Sequence, residues 1–140
     1  MNDVFLGGTC NNSKWRDDLI KKLHKDVKYF NPVVDDWTEE AQKEEIKQRE
    51  SCNKVLYVIT PKMTGVYSIA ELVEDSIKSP DRTIFCYLDK DGNNKFDEHQ
   101  IKSLEMVKEM VYENGATTCD DLVDVAEFLN VGIDLVSDEV

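Results

Sequence analysis

The chain alternates five times between short apolar runs and longer polar stretches with helical spacing, and few folds accommodate that rhythm. The runs are DVFLGGT (3–9), VKYFNPVV (27–34), VLYVIT (55–60), TIFCYL (83–88) and GATTC (115–119), rich in β-branched and aromatic residues and read here as strands. Residues 14–25, 38–53, 67–78, 98–113 and 120–130 read as the helices that follow them. VLYVIT and TIFCYL are apolar enough to be covered on both faces, as central strands of a parallel sheet are. The expected fold is a single α/β domain, a doubly wound five-stranded parallel sheet of flavodoxin or Rossmann type with helices on both faces. Residues 136–140 are expected to fray.

A length of 140 residues with 41% hydrophobic content suits one core, and no run is long enough to cross a bilayer. The N-terminal MNDVFLGGT has no basic segment followed by an apolar one, so a cytoplasmic protein without a secretory leader is expected. Cys10, Cys52, Cys86 and Cys119 form no C-x-x-C pair, which argues against a zinc ribbon, a redox motif or a disulfide framework. With 17 basic and 29 acidic residues the net charge is −12, and such a field disfavours a groove that tracks duplex nucleic acid. A small-molecule partner is expected instead.

Ligands of open α/β sheets bind beyond the carboxyl ends of the strands, so the residues that follow each strand are the candidates. After the first strand, Gly7, Gly8 and Thr9 form either a close cradle for a ligand or a plain tight turn. After the second come Asn31, Asp35, Asp36 and Trp37, where Asp36 or Thr38 can also serve simply as a helix cap. The helix that follows has only Ala41, Ile46 and Cys52 as apolar residues; it is either largely solvated or lines a cavity with one polar face. After the third strand, Pro61 and Gly65 punctuate a loop, and a helix starts near Tyr67 or Ser68 with Ile69, Leu72, Val73 and Ile77 as its buried stripe. Glu71 lies off that stripe in the first turns, where the helix dipole favours a carboxylate. His24 and His99 are expected on exposed helix surface.

LDKDGNNKFDEHQIKSL (88–104) imitates a calcium loop, with Asp89, Asp91, Asn93 and Asp97 at ligand positions 1, 3, 5 and 9. Asn94 stands where the turn glycine belongs, Gln100 stands where a bidentate glutamate belongs, and a strand precedes the loop instead of a helix. Asp97 and Gln100 fit a capping box, with Phe96 placed to staple onto Ile101. The stretch is therefore expected to be a polar turn feeding a helix, with no metal.

Taken together, VFLGGTCNNSKWRDDLI, YFNPVVDDWTEE, LYVITPKMTGVYSIAELVEDS and TIFCYL with FDEHQIKSL resemble the nucleoside 2-deoxyribosyltransferase-like proteins, in particular a small branch from bacteria and phages, over about residues 3–130. The resemblance implies the doubly wound fold and a glutamate nucleophile acting on the sugar C1′, a place matched by Glu71. It also implies a second carboxylate, Glu45, eight positions before Asn53, where the family often has aspartate. Gly7, Gly8, Thr9, Asn31, Asp35, Asp36, Trp37, Gly65, Tyr67 and Ser68 become the expected substrate-binding positions. Gly65 departs from the aspartate of nucleoside-using relatives and from the serine of a nucleotide-using hydrolase branch. The implied activity is transfer or hydrolysis at an N-glycosidic bond of a nucleoside or nucleotide, without cofactor, in a homodimer or higher oligomer. The competing expectation is a module that binds or sequesters a nucleotide without turnover.

Overall fold

The computed structural model describes residues 3–10 and 12–138, with side chains as far as Val131. Strands β1 (Val4–Gly8), β2 (Tyr29–Phe30), β3 (Lys54–Ile59), β4 (Thr83–Tyr87) and β7 (Thr117–Cys119) form one sheet in the order β2-β1-β3-β4-β7, every pair parallel. The short strands β5 (Lys90–Asp91) and β6 (Asn94–Lys95) make a separate antiparallel hairpin. Helices α1 (Trp15–Ile20), α2 (Glu39–Ser51), α3 (Tyr67–Lys78), α4 (Glu98–Glu113) and α5 (Leu122–Asp138) connect or follow them. This is the expected five-stranded α/β sheet, and the order reverses at β1, from which the chain goes first to one side and then to the other.

Alternation along the central strands sorts the core into two layers. Val4, Leu6, Leu56, Val58, Ile84 and Cys86 pack with Trp15 and Leu19 of α1 and Val125 of α5. Phe5, Val55, Tyr57, Ile59 and Phe85 point the other way, onto Leu72 of α3 and Leu104 and Val111 of α4. Each such side chain fully withdrawn from water contributes roughly 1.5–3 kcal/mol, so the three long strands and these helices carry the core.

Several boundaries differ from those the sequence suggests. The second strand, expected over 27–34, is reduced to Tyr29–Phe30: it is an edge strand registered on Val4 and Phe5, and Pro32 lacks the N–H that would extend the ladder. The first helix stops at Ile20 instead of running over 14–25, and the chain turns through Lys21–Asp26. The last helix, expected over 120–130, runs instead over Leu122–Asp138, and residues 139–140 lie outside the described residues. On α3 the fourth member of the buried stripe is Ser76, not Ile77, which is 65% exposed. Leu72 and Ser76 are one turn apart, whereas Ile77 is rotated to the outer side.

The DKDGNN stretch is more ordered than a turn. Gly92, at φ +61°, allows the tight connection between β5 and β6, and Asp97 then caps α4 in a full capping box with Gln100. Phe96 packs against the Phe5 layer of the core.

The closest approach in the sheet is at the end of β1. Gly8 has φ +117°, and a Cβ there would sit 2.0 Å from the Val58 carbonyl oxygen. Gly8→Ala is therefore expected to lower stability by about 2–4 kcal/mol, from strain at positive φ together with a backbone clash, measured by urea denaturation against wild type. A loss below about 0.5 kcal/mol would show that the strand ends are not held this tightly.

Candidate active site

The crevice lies where the order of strands reverses, at the carboxyl ends of β1 and β3, and has a volume of about 530 Å³. Its floor is Phe5, Gly7 and Gly8 of β1 with Tyr57 of β3. One wall is the loop after β2 with Pro32, Val33, Val34 and Trp37; the next is α2, with Gln42, Glu45, Ile46 and Arg49; the third is the start of α3, with Tyr67, Ser68 and Glu71. Positions 42, 45, 46 and 49 fall on one face of a helix, so α2, which buries no residue fully, presents to the cleft the polar face that its composition left open.

Of the positions singled out from the sequence, Glu71, Glu45, Gly7, Gly8, Trp37, Tyr67 and Ser68 are brought together here. A Cβ on Gly7 would come within 3.1 Å of the Leu56 carbonyl oxygen, so this floor is backbone in close contact with its neighbours. Gly65 lies instead on an adjoining recess of about 180 Å³, which shares Gly8, Cys10, Tyr67 and Ser68 with the cleft. A Cβ at Gly65 would meet nothing within 4 Å, so its missing side chain leaves that recess open. Thr9 also faces the recess and is 5% exposed; its Oγ1 accepts the Thr60 N–H at 3.0 Å, and its carbonyl accepts the Trp15 Nε1–H at 2.8 Å. Asn31, Asp35 and Asp36 do not line the cleft: the Asn31 Oδ1 accepts the Val33 N–H at 3.0 Å, and Asp35 and Asp36 are exposed. Thr38, not Asp36, caps α2, accepting from the Ala41 N–H.

Three side chains escaped the sequence reading. Arg16, 3% exposed, donates to the carbonyls of Leu6 (3.0 Å), Thr9 (2.7 Å) and Gly8 (3.3 Å), and so holds the backbone of the glycine loop from beneath. Arg49 pairs side-on with Asp75, Nε to Oδ2 at 3.1 Å and Nη2 to Oδ1 at 3.0 Å, while its Nη1 lies 3.2 Å from the Glu71 Oε2. Tyr57 accepts from the Arg49 Nε at 3.0 Å and donates to the Asp75 Oδ2 at 2.5 Å. The signal for Arg49 was its place one turn after Glu45 on the same face. Arg16 offered none, because a buried arginine that binds backbone carbonyls is defined only by the folded chain.

Burial pushes the Glu71 carboxyl above the usual glutamate range; Arg49 opposes the shift, while Glu45, Asp75 and Glu74 add to it. Burial likewise raises Glu45, against the attraction of Arg16 and Arg49. Tyr57 is raised by burial and by its bond to Asp75, so it stays a neutral donor. The cleft thus holds two carboxyls that retain protons more readily than exposed glutamates do.

The loops beside the recess are tied from behind by the hairpin that imitates a calcium loop. Asp91 accepts from the Ser13 Oγ at 2.5 Å and the Thr60 Oγ1 at 2.6 Å, and the Lys62 ammonium is 3.8 Å away. Ser13 belongs to the loop after β1 and Thr60 to the loop after β3, so the would-be calcium ligand serves as a clasp. Among the described residues, no three His, Cys, Asp or Glu are placed to hold a metal ion. Asp91→Ala, which leaves two hydroxyls without their acceptor, is expected to cost about 1–3 kcal/mol by denaturation. Millimolar calcium is expected to leave the melting temperature of the wild type unchanged; a calcium-dependent rise would reverse the assignment of Asp91.

A family model described as nucleoside 2-deoxyribosyltransferase like matches residues 1–90, from β1 through the first residue of the hairpin, and includes every cleft residue named above. Comparison with curated proteins and with solved structures gave no match. With more than half of its length matched, and with the reversal crevice and its two carboxylates on that matched part, the chain belongs to the nucleoside 2-deoxyribosyltransferase-like family.

Proposed function

We propose that the protein cleaves the N-glycosidic bond of a nucleoside or nucleotide, with Glu71 as nucleophile on the sugar C1′ and Glu45 as the acid–base partner. The observation that carries this reading is the presence of both carboxyls in one cleft beside the Gly7–Gly8 backbone, at the switch point of a sheet whose chain belongs to this family. In the first step an oxygen of the Glu71 carboxylate bonds to C1′ as the bond from C1′ to the base nitrogen breaks. The bonding pair leaves on the base, which takes the proton of Glu45. In the second step Glu45 removes a proton from the acceptor, whose lone pair attacks C1′ and releases the Glu71 carboxylate. Water as acceptor gives a hydrolase, and a second base gives a transferase.

The apolar surface around the cleft supports binding of a flat heterocycle. Trp37 and Tyr67 are 59% and 74% exposed at its rim, where an aromatic ring can stack on them. Val33, Val34 and Val66 extend that exposed rim, which supports a homodimer or larger assembly closing over the site. A dimeric mass is expected in light scattering at micromolar concentration, and a monomeric one would remove this part of the reading. The partner is a small molecule and not duplex nucleic acid, in keeping with the net charge of −12. No helix among the described residues is long and apolar enough to cross a membrane, and a cytoplasmic bacterial or phage protein is the setting proposed.

Incubation with nucleosides, nucleoside monophosphates and dinucleotides, followed by chromatography for free base, tests the activity. Glu71→Gln is expected to lower base release by about a thousandfold or more while affinity changes little, because a nucleophile acts on the transition state. Near-normal release by that variant would eliminate the mechanism; tight binding with no release would favour a sequestering module. Glu71 attacks only when ionised, and its pKa is raised, so release should fall on acidification while the pH is still above the ordinary glutamate value of about 4.3. A rate that holds constant to below that value would exclude Glu71 as the attacking group.

A further inference from the structure

We infer that Arg49 is the positioning residue of this site: its guanidinium, locked against Asp75 and Tyr57, fixes one oxygen of the Glu71 carboxylate and leaves the other for the cleft. The inference rests on the reading of Glu71 as the nucleophile. The geometry assigns each edge of the guanidinium. Nε and Nη2 are committed side-on to the two oxygens of Asp75, at 3.1 and 3.0 Å, and Nε is shared with the Tyr57 hydroxyl at 3.0 Å. Nη2 also reaches the Glu71 carbonyl at 3.4 Å. Nη1 forms an ion pair with the Glu71 Oε2 at 3.2 Å. Among the described residues, the Glu71 Oε1 has no hydrogen-bond partner, and Glu71 lines the cleft.

The contact also ties α2 to α3, but a tie alone would need none of this precision. The end of α2 is already held by Arg82, whose Nη2 donates to the Arg49 carbonyl at 2.7 Å and whose Nε donates to the Cys52 carbonyl at 3.1 Å. What the Arg49 side chain adds is a fixed positive charge among acids. Glu71 is faced by Glu45 from α2, by Glu74 and Asp75 from its own helix, and by the neutral Tyr57 hydroxyl from β3. Arg49 is the cation that pairs with it, and Arg16 of α1 acts on Glu45. A lysine at position 49 could balance the charge, but a single ammonium could not span Asp75 side-on while holding a second charged nitrogen 3.2 Å from the Glu71 Oε2.

The test uses the full-length protein as Arg49→Gln, Arg49→Lys and Asp75→Asn, with circular dichroism to confirm folding. One readout is the carboxyl titration of Glu71 by carbon NMR with labelled glutamate, the resonance assigned by its loss in Glu71→Gln. The other is the pH profile of base release on the best substrate from the panel. Arg49→Gln is expected to move the Glu71 midpoint upward and the acid limb of the profile with it. Base release at neutral pH should fall by roughly ten- to a hundredfold and recover in part as the pH is raised. Arg49→Lys should bring the midpoint back towards wild type without restoring the rate. Asp75→Asn, which leaves the Arg49 charge in place but removes the carboxylate that clamps it, should lower kcat with little change in KM.

An unmoved Glu71 midpoint in Arg49→Gln, or a wild-type kcat in both Arg49→Lys and Asp75→Asn, would overturn the inference and leave Arg49 a staple between helices. If Arg49→Gln does not fold, the other two variants decide by the same criteria. Base release that survives Glu71→Gln is a different failure: it removes the nucleophile, and with it the role assigned to Arg49, even if the midpoint moves.

Discussion

A guanidinium holds α2 where an ordinary helix would use a hydrophobic stripe. The helix buries no residue fully, yet it forms a wall of the cleft, and its attachment is polar: the Arg49 side chain to Asp75 and Tyr57, and Arg82 to the carbonyls at its C-terminal end. Partly buried ion pairs of this kind add little net stability, because desolvation offsets most of the attraction, but they tolerate few alternative arrangements. A helix attached by packing can slide by a fraction of a turn. One attached through a side-on arginine cannot do so without leaving a half-buried carboxylate unpaired. The position of Glu45 relative to Glu71 depends on that constraint.

The same logic holds at the strand ends. Glycines at positions 7 and 8 let β1 and β3 approach closely, and the carbonyls of Leu6, Gly8 and Thr9 beside them take side-chain donors. Arg16 and the Trp15 indole supply them from α1, which has only six residues and begins just after the loop it supports. Asp91 supplies the complementary tie from the other side, binding Ser13 and Thr60 together through their hydroxyls. A buried arginine below and a carboxylate clasp behind tie the loop region through its own side chains, without a ligand. Under the proposed activity, that preorganisation is what transition-state stabilisation would require of a floor built from backbone.

Much of this was legible in the sequence, and the residues show why. VLYVIT and TIFCYL are apolar enough to be doubly covered central strands, the helix at 67–78 carries a buried stripe, and the helix at 98–113 carries a capping box that sets its start. The motif residues Glu71, Glu45, Gly7 and Gly8 stand at strand ends or on helix faces, and strand ends converge in any doubly wound sheet. The edge strand was overread because Val33 and Val34 have β propensity but no neighbour to pair with beyond Phe30; they became a wall of the cleft instead. Ile77 was misplaced for a similar reason, since a hydrophobic residue at the end of a helix is drawn inward only if something covers it.

The sequence by itself therefore determined the sheet and the edge at which a candidate site is expected, because period and strand-end glycines are local or nearly local properties of the chain, and its motif stretches carried the family resemblance that the family match bears out. Tertiary structure alone decided which polar residues belong to the site and which serve the scaffold. Asp91 resembles a metal ligand until Ser13 and Thr60 arrive beside it, Asp35 and Asp36 resemble site acids until the loop turns them to solvent, and Arg49 is one charge among many on α2 until Asp75 and Tyr57 claim its edges. The physical reason is that a charged side chain has no fixed partner along the chain: its role is set by whichever opposite charge or open lone pair the fold brings within about 3 Å.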